Sequence, residues 1–215
     1  MKEPNRVRKN DIKFSVQLND EQKEAKQLIR ENQVVIITGR AGCGKSLVSA
    51  QAAMDFLSQK MIDEILVTRA TIEVGNSLGL LPGTLDEKFN PYLEAFIENL
   101  EKLADKKKIA ELVSEKKIVA MPVQFIRGKT IDDVLVVEEA QNLTKAQMLA
   151  ILTRLGKTGK IIINGDNEQK DIKDEFNGLS YAIELSKKIP DIKWIKLKEN
   201  HRSDLVGKIL EYEYK

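Results

Sequence analysis

The sequence predicts an α/β protein: a mostly parallel central sheet with helices on both faces and one helical insert. Three observations carry that reading. Short apolar runs of strand length recur at 34–38, 65–68, 118–120, 134–137 and 161–163, with a weaker one at 194–197. Patterns of helical period separate most of them. The runs are apolar at nearly every position rather than alternating, as in strands buried on both faces of a parallel sheet.

The elements follow in order. Residues 1–17 mix charges without periodicity and read as an N-terminal arm. A single domain is expected over 18–215. Its first helix opens at Leu18-Asn-Asp-Glu-Gln22, where Asn19 or Asp20 can cap and Ala25, Leu28 and Ile29 form an apolar face. Strand 34–38 leads into a helix over 47–57. After strand 65–68 the rhythm breaks. Over 85–117, Phe89, Leu93, Phe96, Ile97, Leu100, Leu103, Ile109, Leu112 and Val113 are spaced as helices inserted between strands, with Pro91 fitting near the start of one. Helices over 146–152 and 179–185 complete the alternation. No internal repeat or low-complexity linker is visible.

Composition narrows the classes. The 215 residues are 42% hydrophobic and 32% charged, which suits a globular chain with a substantial core. No apolar stretch reaches the length of a membrane span, and the first residues lack a signal-peptide core, so a cytoplasmic protein is expected. One cysteine and one histidine exclude an intrachain disulfide framework and a Cys/His metal cluster. A net charge of +2 gives no global basic field, so nucleic-acid binding needs a local patch. Candidates are Arg6, Arg8, Lys9 and Lys13, then Lys106 to Lys108 with Lys116 and Lys117. Solvated surface is the plainer reading of both runs.

Chemistry concentrates after strand 34–38. Gly39-Arg-Ala-Gly-Cys-Gly-Lys-Ser46 matches G-x-x-x-x-G-K-[S/T] between a strand and a helix, the context in which that motif cradles phosphates. Gly39, Arg40, Ala41, Gly42, Cys43, Gly44, Lys45, Ser46 and Leu47 form the expected nucleotide-binding loop. Its amides and the following helix N-terminus suit an anion. Lys45 can reach the β- and γ-phosphates and Ser46 can offer its hydroxyl to Mg²⁺.

Such a site needs acids on a neighbouring strand end. Glu138 and Glu139 follow the apolar run 134–137. Adjacent residues diverge there, so Glu138 is assigned with Ser46 to the metal and Glu139 to polarising the attacking water. Asn164-Gly165-Asp166 ends the next apolar run, and Gln169 just beyond could sense the γ-phosphate or position water.

The set of motifs resembles the PhoH-like ATPases, a family related to the first RecA-like domain of superfamily 1 helicases. The resemblance rests on Gly39 to Ser46, Val67-Thr-Arg-Ala70, Leu78-Gly-Leu-Leu-Pro-Gly83, Glu87-Lys88 and Asn90-Pro-Tyr-Leu93. It continues through Arg127-Gly-Lys-Thr130, Glu138-Glu-Ala-Gln-Asn142, Thr153-Arg-Leu-Gly156 and Gly165-Asp166. It implies a RecA-like fold, ATPase activity, an RNA-related role and a homo-oligomer, with a hexameric ring as the candidate assembly. The wider superfamily implies that Gln22 reads adenine, which an amide can do through N6 and N7; helix surface is the alternative. It implies that Arg202, in Leu197-Lys-Glu-Asn-His-Arg-Ser203, contacts the γ-phosphate in its own or a neighbouring subunit; a surface ion pair is the alternative. Arg69 and Arg154 stand between phosphate or nucleic-acid contacts and structural ion pairs. His201 reads as packing or surface.

Two departures from the family pattern stand out. Glu138 replaces the usual Asp, moving the carboxylate by one methylene. Cys43 stands where a small residue such as Thr is usual. A helix N-terminus can lower a thiol pKa, but a small tolerated filler is the simpler reading.

The expected function is Mg²⁺-dependent ATP hydrolysis coupled to single-stranded RNA or DNA, with no membrane partner. Lys45, Glu139, Gln169 and Arg202 are the candidate catalytic residues. An ATP-dependent binding switch with slow turnover is the alternative. A small-molecule kinase is a more distant one.

Overall fold

In the computed structural model, described residues are 14–70, 85–169 and 176–199, with Leu205 and Tyr212. Six parallel strands form one sheet in the order β3-β2-β4-β5-β1-β6. In chain order they are β1 (Val34–Thr38), β2 (Ile65–Arg69), β3 (Ile118–Ala120), β4 (Val134–Glu138), β5 (Lys160–Gly165) and β6 (Ile192–Lys196). The helices are α1 (Asp20–Glu31), α2 (Lys45–Ser58), α3 (Leu85–Leu103), α4 (Lys106–Ser114), α5 (Val123–Ile126), α6 (Lys145–Leu152) and α7 (Gly178–Lys188). This RecA-like α/β architecture is the fold class expected above.

Strand alternation divides the core. Val35, Ile37, Val67, Val136 and Ile162 face a layer containing Ala25 and Ile29 of α1, Met54 of α2, Phe96 and Leu100 of α3, and Leu112 of α4. Val34, Ile36, Leu135, Val137, Ile161 and Ile163 face Ile126 of α5, Met148 and Ile151 of α6, and Leu179 of α7. Each β1 residue is buried, which explains its unbroken apolar run.

Helix ends follow local chemistry. Asn19 caps α1, and Gln22 closes a reciprocal capping box by accepting from the Asn19 amide. Thr144 and Gln147 do the same for α6. Asn177 caps α7 by accepting from the Ser180 amide. α3 and α4 form the insert between β2 and β3. α3 starts at Leu85, so Pro91 lies within the helix rather than in its first turn. β6 starts two residues before the apolar run at 194–197 and ends at Lys196. Among the described residues it is an edge strand, and Lys193 and Lys196 break its apolar pattern. The expected 1–17 arm falls mostly outside the described residues, as do Leu78 to Gly83.

Candidate active site

α2 leaves β1 on one face of the sheet, while α6 and α7 leave β4 and β5 on the other. Oppositely directed connections from neighbouring strands open a crevice at their carboxyl ends, where open α/β sheets bind ligands. A cleft of about 700 Å³ lies there, running from Gln22 past Gly44, Lys45 and Ser46 to Glu138 and Asn164. That is the size of a small-molecule site.

The phosphate loop fills the turn from β1 to α2. Gly39 has φ +152, and a Cβ there would lie 2.5 Å from the Leu197 carbonyl oxygen and 2.7 Å from Cys43 Sγ, so only glycine fits. Among the described residues no side chain caps α2, whose N-cap is Gly44, so the positive helix end is offered to an anion. Lys45 Nζ donates to the Gly39 carbonyl at 2.6 Å and the Arg40 carbonyl at 3.3 Å. Ala41 and Gly42 line the cleft. Leu47 also lines it and packs against the α1–α4 layer. Arg40 turns away to pair with Glu168 at 2.8 Å. Cys43 is 2% exposed, and burial pushes its thiol pKa up. That corrects the idea of a helix-activated thiolate: desolvation outweighs the favourable charge of Lys45, and Cys43 is a buried filler.

Ser46 Oγ donates to Glu138 Oε2 at 2.8 Å, and Asn164 Nδ2 donates to Glu138 Oε1 at 2.9 Å. Ser49 Oγ donates to Asn164 Oδ1 at 2.9 Å, which orients that amide. Burial pushes the Glu138 carboxyl above its ordinary range, against the pull of these hydrogen bonds. A half-buried carboxylate beside a hydroxyl is a hard-oxygen pair that could hold Mg²⁺, which takes one or two protein carboxylates and completes its shell with phosphates and water.

Glu139 diverges sharply. Its φ of 52° and ψ of 43° place it in the left-handed region, at a cost on the order of 1 kcal/mol for a side-chain-bearing residue. A 3-10 turn, Ala140–Asn142, begins immediately after it. Thus Glu138 stays beside Ser46 while Glu139 is partly exposed. Glu139 Oε2 accepts from Gln141 Nε2 at 2.6 Å, and Arg69 Nη2 lies 3.7 Å from its Oε1.

Sequence reasoning gave Gln141 no role. It is 1% exposed, and its Oε1 also accepts from the Asp166 amide at 3.0 Å, so one carboxamide ties the Glu139 turn to the end of β5. Its local signal was only an amide two residues beyond the acid. Asp166 is buried, with Oδ1 accepting from the Glu168 amide at 3.0 Å and Oδ2 without a hydrogen-bond partner among the described residues. Burial raises its carboxyl pKa.

Gln22 lines the cleft but is 3% exposed and bonded to both α1 and the phosphate loop. Arg69 is paired to Glu139, while Arg154 Nη1 donates to the Arg127 carbonyl at 3.2 Å. Gln169 ends a 3-10 turn, Asn167–Gln169, and its side chain lies outside the described part. Arg202 and His201 fall outside the described residues, as do Arg6, Arg8, Lys9 and Lys13.

Comparison with known proteins agrees with the motifs. The profile of the "PhoH-like protein" family matches residues 16–213. A PhoH-like protein of Bacillus subtilis (strain 168) is 39% identical over 194 residues, covering 88% of this chain and 61% of the relative. One from Mycobacterium tuberculosis (strain ATCC 25618 / H37Rv) is 36% identical over 200 residues, covering 89% of this chain and 57% of the relative. The chain therefore spans about three fifths of the length of these relatives. Among solved structures, the large terminase of a thermophilic bacteriophage superposes with a TM-score of 0.56 at 13% identity, over 91% of this chain and 50% of the terminase chain. That likeness concerns the fold. With its phosphate loop, paired strand-end acids and profile match across nearly its whole length, the chain belongs to the PhoH-like protein family.

Proposed function

We propose that this protein is a Mg²⁺-dependent ATPase whose turnover is coupled to single-stranded nucleic acid, RNA before DNA. The observation that carries the reading is the division of labour at the end of β4. Glu138 is hydrogen-bonded to Ser46, and Glu139 is turned aside by its left-handed backbone. One acid serves the cation site and the other can orient a water for in-line attack on the γ-phosphate. Mg²⁺ held at Ser46 and Glu138 would neutralise charge on the β- and γ-phosphates. Lys45, released from the loop carbonyls, would take the same oxygens, and Arg202 and Gln169 would respond to the γ-phosphate. The domain expected over 18–215 supplies one RecA-like unit. Strand movement would use a second such unit, which a neighbouring subunit of a homo-oligomer, such as a hexameric ring, could supply.

The alternative, a slow nucleotide-dependent binding switch, has one specific observation in its favour: Arg69 already engages Glu139, which restrains the hydrolytic acid. Steady-state ATP hydrolysis with Mg²⁺, with and without single-stranded RNA or DNA, separates the two. Turnover stimulated by nucleic acid and abolished in Lys45→Ala and Glu139→Gln supports the ATPase. Tight ATP binding with slow, unstimulated turnover supports the switch. No hydrolysis and no ATP binding removes both.

A further inference from the structure

Gln22 lies where its family resemblance expects a reader of adenine, yet its bonds run to the protein. Oε1 accepts from the Asn19 amide at 3.1 Å, closing the α1 cap. Nε2 donates to the Cys43 carbonyl at 3.0 Å, a buried bond across to the phosphate loop. The contact shapes the loop sequence as well. Gly44 has φ +90, and a Cβ there would lie 2.4 Å from Gln22 Nε2, so the carboxamide occupies the space a side chain would need. Cys43 and Gly44 immediately precede Lys45 and Ser46, which address the phosphates.

We infer that Gln22 is a positioning residue for the phosphate loop: through the Cys43 carbonyl it holds the loop in its anion-binding shape, whether or not a base is present. A carboxamide has two N–H groups and two acceptor lone pairs. The bonds to Asn19 and Cys43 use one of each, which leaves the others able to meet a base. Removing the amide strips the buried Cys43 carbonyl of this donor and opens space over Gly44. Both effects act on the loop. Polyphosphates without a base should therefore depend on Gln22 as nucleotides do, a result that base reading alone does not give.

The inference rests on the nucleotide-binding part of the function proposed above, and the test separates the two. Affinities for Mg²⁺-tripolyphosphate and for non-hydrolysable ATP and GTP analogues are measured by calorimetry on the parent, Gln22→Met and Gln22→Ala, with Tm recorded for each. We expect all three ligands to weaken by a similar factor, roughly tenfold, as for loss of one buried hydrogen bond. Any fall in Tm from the lost cap should not track that factor. Unchanged tripolyphosphate affinity in a folded variant, with loss confined to the ATP analogue, overturns the inference and leaves nucleotide binding standing. A parent that binds none of the three ligands removes both. Should neither variant fold, hydrogen exchange on the parent decides. Tripolyphosphate and the ATP analogue should protect the first turn of α1 alike, and protection by the ATP analogue alone overturns the inference.

Discussion

At the scale of single residues, the site is governed by what each polar group must bond to once buried. Gln141 spans Glu139 and the Asp166 amide from a solvent-free position. The near-isosteric Gln141→Met keeps the volume and removes both bonds. Its kcat should fall by about 10- to 100-fold, the scale of lost positioning, with nucleotide affinity within a few-fold of the parent. Single-turnover hydrolysis with separately measured binding reads that split. Arg69→Ala frees Glu139 from its ion pair. Basal turnover should rise a few-fold, and the ratio of nucleic-acid-stimulated to basal turnover should shrink.

Two acids of the site also set a pH dependence. Burial holds Glu138 and Asp166 above the ordinary carboxylate range in the folded chain. Between the ordinary and the raised values the folded state therefore binds more protons than the unfolded one. The contribution of these groups is most favourable on the acid side of that window and declines as pH rises through it. Asp20, Glu21 and Glu184, lowered by their hydrogen-bond donors, act in the opposite sense, so the comparison must be with a variant. Glu138→Gln should be more stable than the parent in EDTA at neutral pH, with the difference shrinking towards acid, while losing ATP turnover. Urea unfolding across pH 4 to 8 gives the difference curve.

At the scale of elements, three long-range contacts fix the pieces that carry the site. Lys160, the first residue of β5, donates from Nζ to the carbonyls of Ile29, Arg30 and Asn32 at 2.9, 3.1 and 2.8 Å. It thus satisfies the C-terminal end of α1, where a cation also suits the helix dipole. Its Nζ lies 5.2 Å from the centroid of the Phe56 ring of α2. Lys160→Met should cost about 1–3 kcal/mol in urea unfolding, because carbonyls lose a charged donor. At the opposite end of α1, Glu21 accepts from the Lys198 amide at 2.7 Å and Asn19 Nδ2 donates to Glu199 at 2.7 Å, so α1 also anchors the exit from β6. Trp194 of β6 donates from Nε1 to Thr38 Oγ1 at 2.9 Å, one residue before the phosphate loop. These bonds join residues more than a hundred positions apart, and no local pattern announces them.

At the scale of the whole molecule, ligand binding and folding are linked. A ligand bound only by the folded state stabilises by about 2.7 kcal/mol at one hundred times its Kd. A Mg²⁺-bound ATP analogue should therefore raise Tm by several degrees in the parent and leave Lys45→Ala unshifted, as thermal unfolding would show. Core truncation tests the sheet independently: Ile36→Ala, at a fully buried position of β1, should cost about 2–5 kcal/mol and lower Tm with or without nucleotide.

The sequence by itself determined the alternating architecture, the phosphate loop and the strand-end acids. Those signals are local: an apolar run such as Val34-Val-Ile-Ile-Thr38, a glycine pattern, two acids where the run stops. Strand β6, at the end of the described sheet, was legible only approximately, because a partly exposed strand does not need an unbroken apolar run. Tertiary structure decided the rest. Burial set the direction of the Cys43, Glu138 and Asp166 pKa shifts, since desolvation depends on neighbours distant in sequence. The sheet order placed Ser46 on Glu138 across 92 residues, and folding turned Gln22 and Gln141 into struts. Residue type fixes what a carboxamide can bond, but only the packed chain fixes which donors and acceptors remain within reach once water has left.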